Sequence, residues 1–384
     1  MGTTTGPAFT FAAPGRLVFG AGRSAELPDL VAEFGVRPLV VTGSNPSRHA
    51  ELLASLGDPA VATVKGEPTL GAVRQAVDAA RTAEADVVVG VGGGAVLDTA
   101  KAVAGLAASE SDPLDHLEVV GLGLPLPPVV LPWIGVPTTA GTGSEMTNNA
   151  VVTSLEHGVK ASIRGRSLLA EVALVDPLLT LECPPAVTAS SGLDALTQCL
   201  EAYVTHQANP LTDGFCREGL RRAASGLRRA YADGSDVSAR TDMALCAALS
   251  GLALANAKLG AVHGFAGPLG GMIGAAHGTI CASLLPSATR VNVAALTARG
   301  DGTALARYTE AAEIITGRGD VAALLAWLDE TNELLGVPGL ADLGLTEDRL
   351  DEAVAKGQAS SSMKGNPITL TEDELQQILR AALD

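Results

Sequence analysis

The chain has 384 residues, 47% hydrophobic and 18% charged, with a formal net charge of −16. At ~100–200 residues per domain this length predicts two or three domains with large cores, and aromatics at only 3% leave those cores to Ala, Val and Leu. An acidic surface repels phosphate backbones, so nucleic acid is excluded as an expected partner.

Residues 1–14 read as a flexible tail, with no basic segment followed by an apolar run to form a signal peptide. A short strand and turn follow at 16–22, a buried strand at 38–43, helical pattern at 50–56, a strand at 61–64 and an amphipathic helix at 70–83. The run Asp86–Gly94 is a strand entering a glycine-rich turn, and helix resumes at 95–108. Val-rich runs alternating with helices predict a parallel sheet covered on both faces. The uncharged stretch Val119–Val136 is broken by four prolines and cannot be a membrane helix.

Beyond residue 185 strand patterns vanish. Ala/Leu-rich helical segments follow at 189–203, 210–231, 238–259, 278–299, 303–316 and 321–335. The reading is an α/β domain over 1–185 and an all-helical domain over 186–384, with the boundary near Pro184 and Pro185. Arg217, Arg221, Arg222, Arg228 and Arg229 recur at helical spacing and read as one solvated helix face. The five cysteines form no CxxC pair and read as buried, reduced thiols of a cytoplasmic protein.

Chemistry concentrates in a few places. The segment His263–His277 holds two of the six histidines, five glycines and no charged residue. Burying imidazole without a partner is costly, so the pair either ligates a metal or is hydrogen-bonded in a core. Gly90, Gly92 and Ala95 match GxGxxA between strand and helix, which suits a pyrophosphate at a helix N-terminus or a tight structural turn. Asp98 and Lys101 follow, as cofactor contacts or as an i,i+3 surface pair. The loop 137–145, Pro-Thr-Thr-Ala-Gly-Thr-Gly-Ser-Glu, is dense in hydroxyls and glycines. It is either a donor surface for phosphate and ribose or an exposed polar turn. Two such loops in one α/β domain make a dinucleotide the economical ligand. Asp194 and Gln198 lie four apart on one helix face. With His263 and His277, Asp194 would complete the three-ligand pattern of a catalytic metal site; otherwise it is a helix-start charge. His49, His116, His157 and His206 read as surface residues.

These motifs in this order resemble the iron-containing (group III) alcohol dehydrogenases, a family that includes the maleylacetate reductases and is related to dehydroquinate synthase. The resemblance rests on Phe19–Gly22, Gly92–Lys101, Pro137–Glu145, Lys160, Asp176, Asp194–Thr197, Glu201–Tyr203, His263, His277 and Ser362–Pro367. It implies a Rossmann-like N-terminal domain binding NAD or NADP, an all-α C-terminal domain holding a divalent metal (Fe or Zn), and a reaction cleft between them. By this resemblance Gly43, Gly93, Gly94, Ala95, Asp98, Thr138, Thr139, Thr142 and Ser144 belong to the cofactor side. Lys160 approaches the nicotinamide ribose and acts with His263 and His277 in catalysis. Asp194, Gln198, His263 and His277 match the metal-ligand positions.

Three departures stand out. Gln198 occupies a position where the family has histidine, and an amide oxygen is a weaker ligand than imidazole. Gly267 replaces a histidine that many members use in proton relay. Thr42-Gly43-Ser44 lacks the aspartate that favours NAD in several relatives, which leaves NADP(H) open. The expected activity is hydride transfer between NAD(P)H and a small alcohol, aldehyde or ketone, in a homodimer without nucleic-acid or membrane partners. A metal-assisted elimination or cyclisation, or a catalytically silent binding protein, are the alternatives on the same fold.

Overall fold

The computed structural model describes residues 8–384. Its first part is built on six parallel strands in the order β1-β8-β5-β4-β2-β3. These are β1 (Arg16–Phe19), β2 (Pro38–Gly43), β3 (Ala60–Val64), β4 (Val87–Gly92), β5 (Trp133–Pro137) and β8 (Val172–Val175). The helices here are α1 (Leu27–Ala32), α2 (Ala50–Ala54), α3 (Leu70–Thr82) and α4 (Gly94–Leu106). Every residue of β4 is buried, as expected for a central strand covered on both faces. The chain turns outward from β2 to β3, then crosses back to β4 and on to β5. The switch point therefore lies between β2 and β4, where α/β sheets form a ligand crevice at the strands' C-terminal ends.

An antiparallel hairpin, β6 (Asn149–Ser154) and β7 (Val159–Arg164), stands apart from this sheet. The sequence pattern did not disclose it, because its inward positions mix Val152 and Ile163 with Ala150, Ser154 and Ala161, and the apolar alternation is weak.

The second part is helical: α5 (Pro185–Val204), α6 (Pro210–Ala232), α7 (Val237–Asn256), α8 (Ala261–Ile273), α9 (His277–Arg299), α10 (Gly302–Thr316), α11 (Val321–Leu335), α12 (Leu350–Ala359) and α13 (Glu372–Ala381). The fold is thus a parallel α/β domain followed by an all-helical one. Among the described residues only α7 is long and apolar enough to cross a membrane, and it is mostly buried within the protein.

Three expectations need correction, and one segment to which the sequence pattern gave no element is a helix. The part of the 1–14 tail that is described is anchored: Phe11 packs on Phe215, and Asn256 Nδ2 donates to the Ala12 carbonyl at 2.7 Å; residues 1–7 lie outside the described residues. The glycine-rich segment after Ala261 is a helix, although it contains Pro268 and glycine costs ~1 kcal/mol per helical position. Packing decides there, since a Cβ at Gly264 would lie 2.8 Å from Met363 Cε. The α6 arginines are not simply solvated: Arg217 pairs with Glu310, Arg222 with Asp242, and Arg228 stacks on Trp327 while donating to Thr331. They tie α6 to α10, α7 and α11. Finally, His116 is buried, with Nδ1 3.1 Å from the Leu124 carbonyl.

Candidate active site

The two parts meet at a cleft of about 540 Å³, within the usual size of small-molecule sites. One wall begins where β4 runs into α4. Gly90 and Gly92 lie inside the strand, where an added Cβ would meet Ala100 Cβ at 2.8 Å and Val96 Cγ2 at 2.6 Å. Their role is close strand–helix packing. Gly93 and Gly94 sit at the turn itself, and α4 starts there with no side-chain cap. The N–H groups of Gly94 and Ala95, both of which line the cleft, therefore have no intrahelical partner.

The loop 137–145 lies over that helix start. A Cβ at Gly93 would be 3.2 Å from Thr139 Oγ1, and one at Gly94 would be 2.9 Å from Thr142 Oγ1. Two hydroxyls and the α4 N–H groups thus converge on one small space, a donor array suited to phosphate. Gly143 adopts a left-handed φ of 60° and presses against α7, where a Cβ would lie 2.2 Å from the Ala247 carbonyl oxygen. That backbone-to-backbone contact fixes the loop against the helical domain.

Ala95, Asp98, Ser144 and Lys160 also line the cleft, whereas Gly43 and Thr138 do not. Gly43 ends β2 at the switch point, and the Thr138 N–H donates to Gly92 O at 3.0 Å. Asp98 accepts from Ser144 Oγ at 2.6 Å and from the Val151 N–H at 3.1 Å. Lys101 is not the surface partner of Asp98 that the spacing allowed. It is fully buried, 3.0 Å from the Asp98 carboxylate, and donates to Thr147 Oγ1 at 2.8 Å and to the Ser144 carbonyl at 3.0 Å. Burial lowers its pKa, against the opposing pull of Asp98. Lys160, on β7, pairs with Glu67 at 3.1 Å.

The opposite wall is helical. Asp194, Gln198 and Glu201 occupy successive turns of α5 and are all buried. Glu201 holds the start of α8: Oε1 accepts the Val262 N–H at 2.7 Å, and Oε2 lies 2.7 Å from His263 Nδ1. An ionised carboxylate only accepts, so Nδ1 carries the proton and the neutral ring turns the Nε2 lone pair toward Asp194 Oδ1, 3.2 Å away. Two acceptors at that distance repel unless a cation or a proton lies between them. His277, the first residue of α9, brings its Nε2 to 3.9 Å from the same oxygen.

The fit to a divalent cation is therefore chemical as well as spatial. Burial disfavours charge on the His263 ring, but the Cys281 sulfur and the carboxylates of Asp194 and Glu201 outweigh it and hold its pKa well above the ordinary value. Burial likewise raises the Asp194 carboxyl, and His263 and His277 more than reverse this, leaving it below its usual range.

The structure thus brings Asp194, His263 and His277 together. Gln198 lines the cleft beside them, but its Oε1 accepts from Ser250 Oγ at 3.1 Å. Two neighbours carried little signal in the sequence. Glu201 was visible only through the resemblance, and Cys281 only as one more buried thiol. The four-residue step from His277 to Cys281 was the available clue to the latter.

Comparison with known proteins agrees with this geometry. The iron-containing alcohol dehydrogenase profile matches residues 14–177, and that of the Fe-containing alcohol dehydrogenase C-terminal region matches residues 188–383. The chain is 38% identical to long-chain-alcohol dehydrogenase 1 of Geobacillus thermodenitrificans, covering 82% of this chain and 80% of the relative. It is 34% identical to 1,3-propanediol dehydrogenase of Klebsiella pneumoniae, covering 92% and 90%. Among solved structures, the NAD+ complex of sulfoacetaldehyde reductase from Bifidobacterium kashiwanohense superposes with a TM-score of 0.88 at 29% identity, over 98% of this chain and 99% of that one.

Proposed function

Because the chain belongs to the iron-containing alcohol dehydrogenase family, we propose that it transfers hydride reversibly between a nicotinamide dinucleotide and a small alcohol, aldehyde or ketone. The observation that carries the reading is the placement of Asp194, His263 and His277 across one cleft from the α4 N-terminus and the Thr139 and Thr142 hydroxyls.

In this reading Gly93, Gly94, Thr139 and Thr142 hold the pyrophosphate, while Asp98 and Ser144 brace the loop beside it. Lys160, kept in place by Glu67, faces the nicotinamide ribose. The dinucleotide supplies or accepts the hydride. Asp194, His263 and His277 would hold a divalent metal, zinc or iron, which supplies Lewis-acid polarisation of the carbonyl oxygen. Glu201 keeps the proton of His263 on Nδ1 so that Nε2 faces that metal. Gln198 borders the set with its amide. Leu254, Ala255 and Leu259 give the helical wall an apolar stretch suited to an alkyl chain. Gly267 also lines the cleft, and an added Cβ there would meet nothing within 4 Å. Water reaching that space serves as the proton source in place of a side chain.

The end of β2, Thr42-Gly43-Ser44, presents no carboxylate to a 2′-phosphate, so we read cofactor choice as open to NADP(H) as well as NAD(H). Five free cysteines support a reducing, cytoplasmic setting. A homodimer belongs to the same reading, and sedimentation velocity tests it.

The activity is tested by following NADH and NADPH consumption against a panel of short and medium aldehydes, with metal-depleted and zinc- or iron-reloaded protein. Turnover restored by metal supports the reading. No turnover with either nucleotide by reloaded protein, across the whole panel, contradicts it.

A further inference from the structure

We propose that Cys281 is a further protein ligand of the divalent metal, bound as thiolate, so that Asp194, His263, His277 and Cys281 form a mixed nitrogen, oxygen and sulfur set. This rests on the metal reading above and adds to it a residue of different chemistry.

The backbone sets it up. His277 and Cys281 stand one turn apart on α9 and face the same way. Gly278 lets that turn press against α5, since a Cβ there would lie 2.6 Å from the Ser190 carbonyl oxygen and 3.5 Å from Asp194 Cβ. The sulfur is consequently buried 3.6 Å from His277 Nε2 and 3.8 Å from His263 Nε2. All four candidate ligand atoms lie within 4.8 Å of one another.

These separations suit a common centre. A tetrahedral site with metal–nitrogen and metal–oxygen bonds of ~2.0 Å and a metal–sulfur bond of ~2.3 Å has nitrogen–sulfur edges of about 3.5 Å and nitrogen–oxygen edges of about 3.3 Å. The observed nitrogen–sulfur edges are 3.6 and 3.8 Å, and the nitrogen–oxygen edges 3.2 and 3.9 Å. The longest of these four edges must shorten by about 0.6 Å to reach that geometry, and all six edges lie within 4.8 Å. Gln198 competes poorly for this role, because an amide oxygen is a weaker ligand than imidazole or thiolate for zinc.

On binding, the Cys281 S–H bond breaks heterolytically, the sulfur lone pair forms the metal bond and the proton leaves to solvent. A thiolate beside two imidazoles favours zinc over magnesium or manganese. Catalytic zinc sites can expand to five-coordination in the transition state, and a substrate oxygen would enter this set as the fifth ligand.

Cobalt(II) reports sulfur ligation directly. We expect the cobalt-loaded protein to show visible d–d bands together with a near-ultraviolet thiolate-to-cobalt charge-transfer band. Cys281→Ser and Cys281→Ala should lose the charge-transfer band, keep d–d bands, and bind zinc at least tenfold more weakly in chelator competition. Wild-type d–d bands without charge transfer, or a charge-transfer band that survives both substitutions, overturns the thiolate assignment and leaves the metal reading standing. No cobalt bands in the wild-type protein overturns both.

Discussion

Glu201 Oε2 lies 2.7 Å from His263 Nδ1, and the same carboxylate accepts the Val262 N–H at the start of α8. One side chain therefore fixes both the position of the helix and the tautomer of its histidine. Partners of this kind are worth ~10–100-fold in metal affinity. Glu201→Gln should weaken zinc binding by about that factor in a chelator competition, with far-ultraviolet circular dichroism unchanged. Unaltered affinity would show that the ring is oriented by packing alone.

The Gly94 position tests the phosphate site. An added Cβ meets Thr142 Oγ1 at 2.9 Å, the tip of a side chain that can move, and it occupies the space in front of the α4 N-terminus. Gly94→Ala should raise the dissociation constant for NADH or NADPH about tenfold, equivalent to ~1.4 kcal/mol. Thermal stability should not fall, because alanine is the better helix former. Unchanged nucleotide affinity would move the pyrophosphate away from this turn.

Lys101 is predicted to matter for stability. Its ammonium is fully buried and bound to Asp98, Thr147 and the Ser144 carbonyl. Lys101→Met leaves the Asp98 carboxylate without its cation, and breaking a buried pair from one side costs ~3–5 kcal/mol. Asp98 keeps the Ser144 hydroxyl and the Val151 N–H as donors, which favours the lower end, about 3 kcal/mol. Urea unfolding of the two proteins measures the difference. A loss below about 1 kcal/mol would place this pair among the weak, solvent-exposed kind.

Glu145 gives a pH signature. Burial raises its carboxyl from 4.5 to about 7, against the opposing pull of Lys101. Across that window the folded chain holds a proton that the unfolded chain has already released. The contribution of this residue to stability is therefore greatest at low pH and declines as pH rises toward 7. At ~1.4 kcal/mol per pKa unit the whole effect is up to about 3 kcal/mol. Glu145→Gln should be more stable than the wild type at pH 8, and the gap should narrow by pH 5. Denaturant curves at the two pH values check this; a gap that is equal or larger at pH 5 would refute it.

The alternation of Val-rich strands with helices made the parallel sheet legible in the sequence, as did the change to Ala/Leu-rich helices for the second part. Periodicity could not disclose α8, whose glycines and Pro268 speak against a helix until Met363 and neighbouring packing are in place. The β6–β7 hairpin escaped because its buried positions mix Val152 and Ile163 with Ala150, Ser154 and Ala161, which leaves the apolar alternation weak. Within the site, motif order drew attention to Asp194, His263 and His277, which the fold brings together. Spacing was ambiguous for Asp98 and Lys101, since an i,i+3 pair looks the same in sequence on a surface or in a core. Only tertiary packing encloses the lysine between α4 and the 144–149 loop. Cys281 was hidden for the same reason: a cysteine in an apolar helix reads as core filling until the histidines are seen around it.

Isotope transfer tests the central claim most directly. Zinc- or iron-reloaded protein is incubated with an aliphatic aldehyde panel and separately with NADH and NADPH carrying deuterium on both C4 positions, and the alcohols are analysed by mass spectrometry. The account predicts an alcohol with a single deuterium on its carbinol carbon, formed with at least one of the two nucleotides. Absence of any deuterated alcohol across the panel, with metal bound and both nucleotides tried, would contradict it.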